Sequence, residues 1–207
     1  DGTKYVRFTT YKVPIEFIQE NMVLFIKTED LIEGKKRINA YLKDQLRRNN
    51  PFFIEIRKTE PVKLDQMGCH YTPHVFGVRV NQPVEIVNSD DTLHNIHALP
   101  KANSEFNNGQ PIKGMKMSHT FSAKEVMVPF KCDVHGWMNA YVGVLDHPYF
   151  ATTGKDGSFE LKSLPPGTYT IEAWHEKLGP MTESVTIAAK DSKAVNFAFK
   201  APAGAAD

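Results

Sequence analysis

Val75-Phe76-Gly77-Val78-Arg79-Val80, followed by Asn81-Gln82-Pro83 and then Val84-Glu85-Ile86-Val87, is the stretch that sets the fold class. Apolar residues recur at every second position on one side of a turn-forming tripeptide, and an apolar run resumes on the other. A period of two is that of a strand with one face covered, and Asn-Gln-Pro supplies the turn. Working outward, β-branched and aromatic residues mark further strands at Tyr5–Thr10, Met22–Lys27, Phe52–Arg57, Ser118–Phe121 and Val126–Lys131. The last fifty residues add Ser158–Leu161, Thr168–Trp174, Glu183–Ala188 and Ala194–Phe199, divided by Gly154-Lys155-Asp156-Gly157 and Pro165-Pro166-Gly167. Many short strands with turn punctuation predict an all-β chain of sandwich architecture.

Three segments stand apart from this pattern. From Gly34 to Asn49, Ile38, Tyr41, Leu42 and Leu46 share one face at helical spacing, so an extra amphipathic helix is expected at about 34–49, lying as a lid over a sheet or serving a subunit contact. Pro100–Lys116 is rich in Asn, Gly and Lys and predicts a long surface loop. Residues 201–207, Ala-Pro-Ala-Gly-Ala-Ala-Asp, have little to bury and are expected to form a flexible tail.

Composition narrows the function classes. With 25 Lys+Arg against 24 Asp+Glu in 207 residues, a net charge of +1 gives no field that would select nucleic acid or an anionic membrane. The length suits two small domains. Cys69 and Cys132 are the only cysteines, and if Cys132 binds a metal no intrachain disulfide remains to be made. No apolar run approaches the roughly 18 residues that a membrane span needs. The sequence opens at Asp1 with neither Met nor a signal-like segment, which leaves room for an export signal or lipid anchor removed earlier.

Chemistry concentrates in Phe130-Lys131-Cys132-Asp133-Val134-His135-Gly136-Trp137-Met138, where a thiolate, an imidazole and a thioether stand at C-x2-H-x2-M spacing after a strand. A soft thiolate with two imidazoles and a weak axial thioether is a blue-copper ligand set. Upstream, His94-Asn95-Ile96-His97 offers the second imidazole. The competing reading makes Cys132 a small buried hydrophobe, His135 a turn residue and Met138 core filler. The conjunction of four matched features favours the metal. Structural zinc rarely recruits a thioether, and a binuclear copper loop would need two bridging cysteines where this one has Cys132 alone. Trp137 is either part of an apolar patch for partner docking or packing for the loop. Cys69 and His74, in Gly68-Cys69-His70-Tyr71-Thr72-Pro73-His74, form a weaker candidate for a second metal site. No G-x-S-x-G, P-loop or H-E-x-x-H pattern occurs, so no enzyme is expected.

The loop after Phe130 resembles the copper-binding loop of amicyanin-like cupredoxins, and less closely that of plastocyanin. The resemblance implies one type 1 copper ion held by His94, Cys132, His135 and Met138, with Asn95 locking the two ligand loops and His135 as the exposed ligand. More widely, Gly68-Cys69, Pro73-His74-Val75, Asn88-Ser89-Asp90 and Leu164-Pro165-Pro166-Gly167-Thr168-Tyr169 resemble bacterial exported proteins that join a cupredoxin-like region to a carboxypeptidase regulatory-like domain. That implies a Greek-key cupredoxin at 52–148 and a small transthyretin-like sandwich assembled from 1–30 and 149–200, with a helical insertion at 31–51. Its usual opening strands are missing between Val142 and Gly154, so the two N-terminal strands are expected to supply them. The implied role is electron transfer with a redox protein partner, a cytochrome or other carrier, on the periplasmic or extracytoplasmic side of a bacterial membrane. Copper delivery or storage, and a structural role in a larger membrane-associated complex, are the alternatives.

Overall fold

The Val75–Val87 stretch forms two strands that end up in different sheets. In the computed structural model, residues 5–8, 22–26, 60–189 and 191–199 are described. Those residues are all-β, with no helix among them. The helix expected at 34–49, the strand at Phe52–Arg57 and the tail at 201–207 lie outside them. The chain divides into two compact units, Thr59–Pro148, and Asp1–Lys58 with Tyr149–Asp207.

In the Thr59–Pro148 unit one sheet runs in the order β4-β3-β6-β9, from β3 (Val62–Gln66), β4 (Tyr71–Thr72), β6 (Val84–Asn88) and β9 (Lys116–His119). The other runs β5-β11-β10-β7-β8, from β5 (Val75–Arg79), β7 (His94–Ala98), β8 (Phe106–Gln110), β10 (Glu125–Lys131) and β11 (Asn139–Leu145). One core, including Leu64, Phe76, Val78, Ile86, Ile96, Phe121, Val128, Phe130 and Val142, draws on both sheets, which makes the unit a β-sandwich. The Phe130 ring stacks on Phe76 at 6.2 Å between centroids and also meets Phe106 and Phe121. The loop expected at Pro100–Lys116 is interrupted by β8, which pairs with β7 from His94↔Gln110 to Ala98↔Phe106. Its Phe-Asn-Asn-Gly-Gln sequence has almost no strand signal. The ladder with β7 imposes the conformation, tertiary pairing overriding propensity.

In the other unit β2 (Val23–Ile26) lies between β12 (Phe150–Thr152) and β14 (Gly167–His175), and β15 (Gly179–Ile187) completes the sheet. Met22, Val23, Leu24 and Ile26 are all buried, the unbroken apolar run of a strand covered on both faces. In β14 the buried side chains Tyr169, Ile171, Ala173 and His175 alternate with more exposed ones, the pattern of a strand with one covered face. A second, two-stranded sheet pairs β1 (Tyr5–Phe8) with β13 (Phe159–Lys162). Two expectations need correction here. The segment between Val142 and Gly154 does carry strands, the end of β11 and all of β12. Residues 194–199 form no strand, although Phe197 and Phe199 are buried in the core with Phe159, Leu161 and Ile171. Their alternation records burial of one side, which an extended chain achieves without a ladder.

Candidate metal centre

Strand periodicity brings the predicted ligands to one end of the Thr59–Pro148 sandwich. Along β7, His94, Ile96 and Ala98 are fully buried on one face, while Asn95 and His97 take the other. Along β10, Val128 and Phe130 are buried, and the same period carries Cys132 inward just beyond the strand end, 2% exposed. β7 and β10 are neighbours, paired at Phe130↔Ala98 and Lys131↔His97. The inward row therefore ends in His94 and Cys132, and the outward row in Asn95, His97 and Asp133.

The loop between β10 and β11 turns back on itself. The Cys132 N–H donates to the Met138 carbonyl at 3.2 Å, and the Met138 N–H to the His135 carbonyl at 2.9 Å. His135 N–H donates to Cys132 Sγ at 3.4 Å, and His135 Nδ1 lies 3.9 Å from that sulfur. His94 Nδ1 and His135 Nδ1 face each other at 3.1 Å. Met138, the last residue of the loop, is 1% exposed. With metal–nitrogen and metal–sulfur bonds of about 2.1 and 2.3 Å, one ion spans nitrogens about 3 Å apart and a sulfur up to about 4.4 Å from either. The His94–His135 and His135–Cys132 separations fit, and soft sulfur with imidazole suits copper or zinc.

The tautomer of His94 is fixed by its surroundings. Its Nε2 lies 2.9 Å from Asp90 Oδ2, a carboxylate that only accepts, so Nε2 carries the hydrogen and Nδ1 keeps its lone pair for a ligand. Asp90 is itself held by the Gly68 and Cys69 N–H groups, each at 2.9 Å. The Cys69 N–H lowers the Asp90 carboxyl most; desolvation opposes it, and Gly68 and His94 add to it, leaving a pKa of about 2. Tyr71 ties the two ligand strands together, its hydroxyl lying 2.5 Å from the Asn95 carbonyl and 3.0 Å from that of Lys131, with its one hydrogen for either. Burial above all, then the Cys132 and Asp133 side chains, push the Tyr71 phenol far above its usual range.

On the outward face Asn95 reaches the Cys132 loop directly. Asp133 N–H donates to Asn95 Oδ1 at 2.6 Å, while Asn95 Nδ2 donates to Asn107 Oδ1 at 2.7 Å and Asp133 Oδ2 at 3.1 Å. His97 joins this outer network through Asp133 and Glu105. Lys131, then Asn107, hold the Asp133 carboxyl well below the usual carboxylate range. Asn95→Ala removes the acceptor for a part-buried N–H and is expected to destabilise the fold by about 1–3 kcal/mol, measured by denaturant unfolding. Restoring wild-type stability with Asn95→Asp, which keeps one accepting oxygen, is not expected, because it would face the Asp133 carboxylate.

Of the pair suggested as a second site, Cys69 and His74, only Cys69 belongs to a group of three potential ligands among the described residues. His74 Nδ1 lies 3.0 Å from the Asn139 carbonyl and its ring meets Tyr141 edge-on. Cys69 instead falls in with His94 and His135, their ligand atoms all within 4.8 Å of one another. It sits at the tip of the β3–β4 hairpin, where Met67 and His70 exchange backbone hydrogen bonds around Gly68 and Cys69, at φ 63° and 56°. Positive φ at both central residues defines a type I′ turn. A non-glycine residue in that conformation costs about 1–2 kcal/mol. Trp137, 61% exposed, donates from Nε1 to the Cys69 carbonyl at 3.0 Å and lies 5.3 Å from the His135 ring. Asp90, Tyr71 and Asp133 were not singled out as site residues by the sequence. Gly68, two residues past β3 in a very short gap, is the one local signal of the tight turn that brings Cys69 in.

The second unit has its own marker, a β13 strand and a Pro-Pro-Gly turn leading into the long β14–β15 hairpin. Residues 138–200 match the carboxypeptidase regulatory-like domain. The regulatory-like match begins at Met138, so its first residues, 138–148, fold within the Thr59–Pro148 unit. Among solved structures, a copper-containing nitrite reductase from Thermus scotoductus SA-01 is 21% identical over 41% of this chain, with a TM-score of 0.38; the match spans only 22% of that enzyme. An amicyanin variant in its Cu(I) form is 23% identical over 41% of this chain and 81% of its own, TM-score 0.36. A purple cupredoxin from Nitrosopumilus maritimus is 20% identical over 40% of this chain and 98% of its own, TM-score 0.35. No curated protein matches the chain. The match at residues 138–200 gives the regulatory-like half of the two-part composition expected from the sequence.

Proposed function

We propose that this protein is a mononuclear type 1 copper protein that transfers electrons, as a carrier or as a redox subunit, without catalysing a reaction of its own. The observation that carries the reading is the convergence of His94 Nδ1, His135 Nδ1 and Cys132 Sγ, with the other His94 nitrogen already committed to Asp90. Met138, buried at the end of the same loop, would supply the thioether. A copper ion held this way gains or loses one electron with little change in its ligand arrangement. Asn95 and Tyr71 hold the two ligand strands at fixed separation, which limits rearrangement further.

His94 is fully buried and His135 is partly exposed, so the His135 edge is the route between the site and a partner. Around it, Met67, Leu93, Val134 and Trp137 are exposed hydrophobics, each within two residues of Cys69, His94 or His135. An apolar rim of this kind suits brief docking of a cytochrome or another small electron carrier. We place the domains at 52–148 for the copper unit and at 1–30 with 149–200 for the regulatory-like unit, the pairing of β2 with β12 and β14 supporting the second. The resemblance to exported proteins is the ground for placing the protein on the extracytoplasmic side of a bacterial membrane, where attachment to a larger complex would bring it near its partner.

Titration of the reduced, metal-free protein with Cu(II) tests the function. One equivalent is expected to bind, with an intense visible band that bleaches on reduction and returns on reoxidation while copper stays bound. A colourless product, or copper lost at each reduction, would refute an electron-transfer role.

A further inference from the structure

Of the two thiols, the four-ligand scheme uses only Cys132. We infer that Cys69 is a further thiolate ligand of the same metal ion, so that the centre draws on two thiolates, from Cys69 and Cys132, with the imidazoles of His94 and His135. The inference rests on the copper reading above and adds to it a donor from a different sheet.

Three independent observations support it. Cys69 Sγ and a ligand nitrogen of each of His94 and His135 lie within 4.8 Å of one another, a spacing that one metal ion can bridge. Next, Cys69 occupies a backbone position that the fold itself would give to another residue. The second central place of a type I′ turn favours Gly or Asn, and Cys69 is held there at φ 56°. A residue placed against local preference at the edge of a polar cluster points to a function for its side chain. Finally, the turn is tied to the centre from two sides. Asp90 accepts the Gly68 and Cys69 N–H groups while engaging His94, and Trp137 from the Cys132 loop donates to the Cys69 carbonyl. Three loops are thereby clamped in one arrangement, and Cys69 Sγ travels with the two imidazoles.

On metal binding the Cys69 thiol passes its proton to solvent and its sulfur donates a lone pair to the ion, as at any thiolate ligand. No disulfide is involved, both cysteines being free. Two thiolates neutralise a divalent copper ion where one leaves a positive charge. The oxidised state gains more from this than the reduced one, so Cys69 sets both the colour and the driving force of the centre.

X-ray absorption on the Cu(I)-loaded protein, with visible spectra of the oxidised form, provides the test. The wild type is expected to show two sulfurs at about 2.3 Å. Cys69→Ser and Cys69→Gly should each show one, with the oxidised spectrum changed and the centre easier to reduce. Cys69→Gly suits the turn and is expected to melt no lower than the wild type, so loss of the second sulfur in that variant cannot be attributed to unfolding. One short sulfur in the wild type, with spectra identical in both variants, would overturn the role of Cys69 and leave the single-thiolate copper reading standing. A wild type with no short sulfur and no visible band would overturn both.

Discussion

Cys132→Ser is expected to weaken copper binding by at least a hundred-fold and to shift and weaken the visible thiolate-to-copper band, leaving only what Cys69 contributes. Residues that merely orient a metal ligand change affinity about 10–100-fold, and a ligand should exceed that range. Serine is close in shape, and the His135 N–H that points at Cys132 Sγ can donate to a hydroxyl instead. The apoprotein should therefore fold with a stability within about 1 kcal/mol of the wild type. Visible absorption and a competition titration against a chelator of known affinity are the measurements. A band of undiminished intensity in the serine variant would exclude Cys132 as the source of the colour. The comparison with Cys69 is informative, because each single variant should keep a band from the thiolate that remains, and Cys69→Ser with Cys132→Ser together should have none.

The second large effect is on stability. Phe130→Ala is expected to cost about 3–5 kcal/mol, the range for truncating a buried aromatic residue. Phe130 is 1% exposed and its ring contacts those of Phe76 and Phe106, in the same five-stranded sheet, and of Phe121, in the segment between β9 and β10. It also stands two residues before Cys132 on the same face of the chain, so the cavity opens beneath the ligand loop. Chemical denaturation of the metal-free protein measures the loss directly. A loss below about 1 kcal/mol would mean that the neighbouring rings collapse into the space, and that Phe130 does not anchor the loop. Phe130→Leu, which keeps most of the volume, should recover more than half of the difference.

The two effects separate chemistry from support. Cys132 contributes its sulfur, for which shape is no substitute. Phe130 contributes volume and contact, and nothing in its chemistry is specific to the metal. Asn95 and Tyr71 stand between these extremes, since each satisfies backbone groups at strand ends that the β7–β10 ladder leaves unpaired.

Local pattern was enough to find most of the elements. The alternation at Val75–Val80, the apolar run at Val84–Val87 and the Val126–Phe130 run all became strands, because each has one face that must leave water. The C-x2-H-x2-M motif was legible for a similar reason, since donor types at fixed short spacing constrain which ligands one loop can present. Strand β8 was not legible. Asn107, Asn108 and Gly109 have no preference for extended structure, and they are strand residues only because β7 supplies the hydrogen bonds. Ala194–Phe199 failed in the opposite direction: its apolar alternation is real, but no partner strand pairs with it.

The sequence by itself determined the all-β character of the described residues, the loop carrying Cys132, His135 and Met138, and the presence of a regulatory-like region. It did so because period-two burial and close ligand spacing are properties of short segments. Only the tertiary structure decided that His97 turns to Asp133 and Glu105, that Asp90 sets the tautomer of His94, and that Cys69 comes to within reach of His94 and His135. Each of those depends on which strands lie side by side and how tightly one hairpin turns. Hydrogen bonds between residues far apart in the chain fix that arrangement, and no local pattern encodes it.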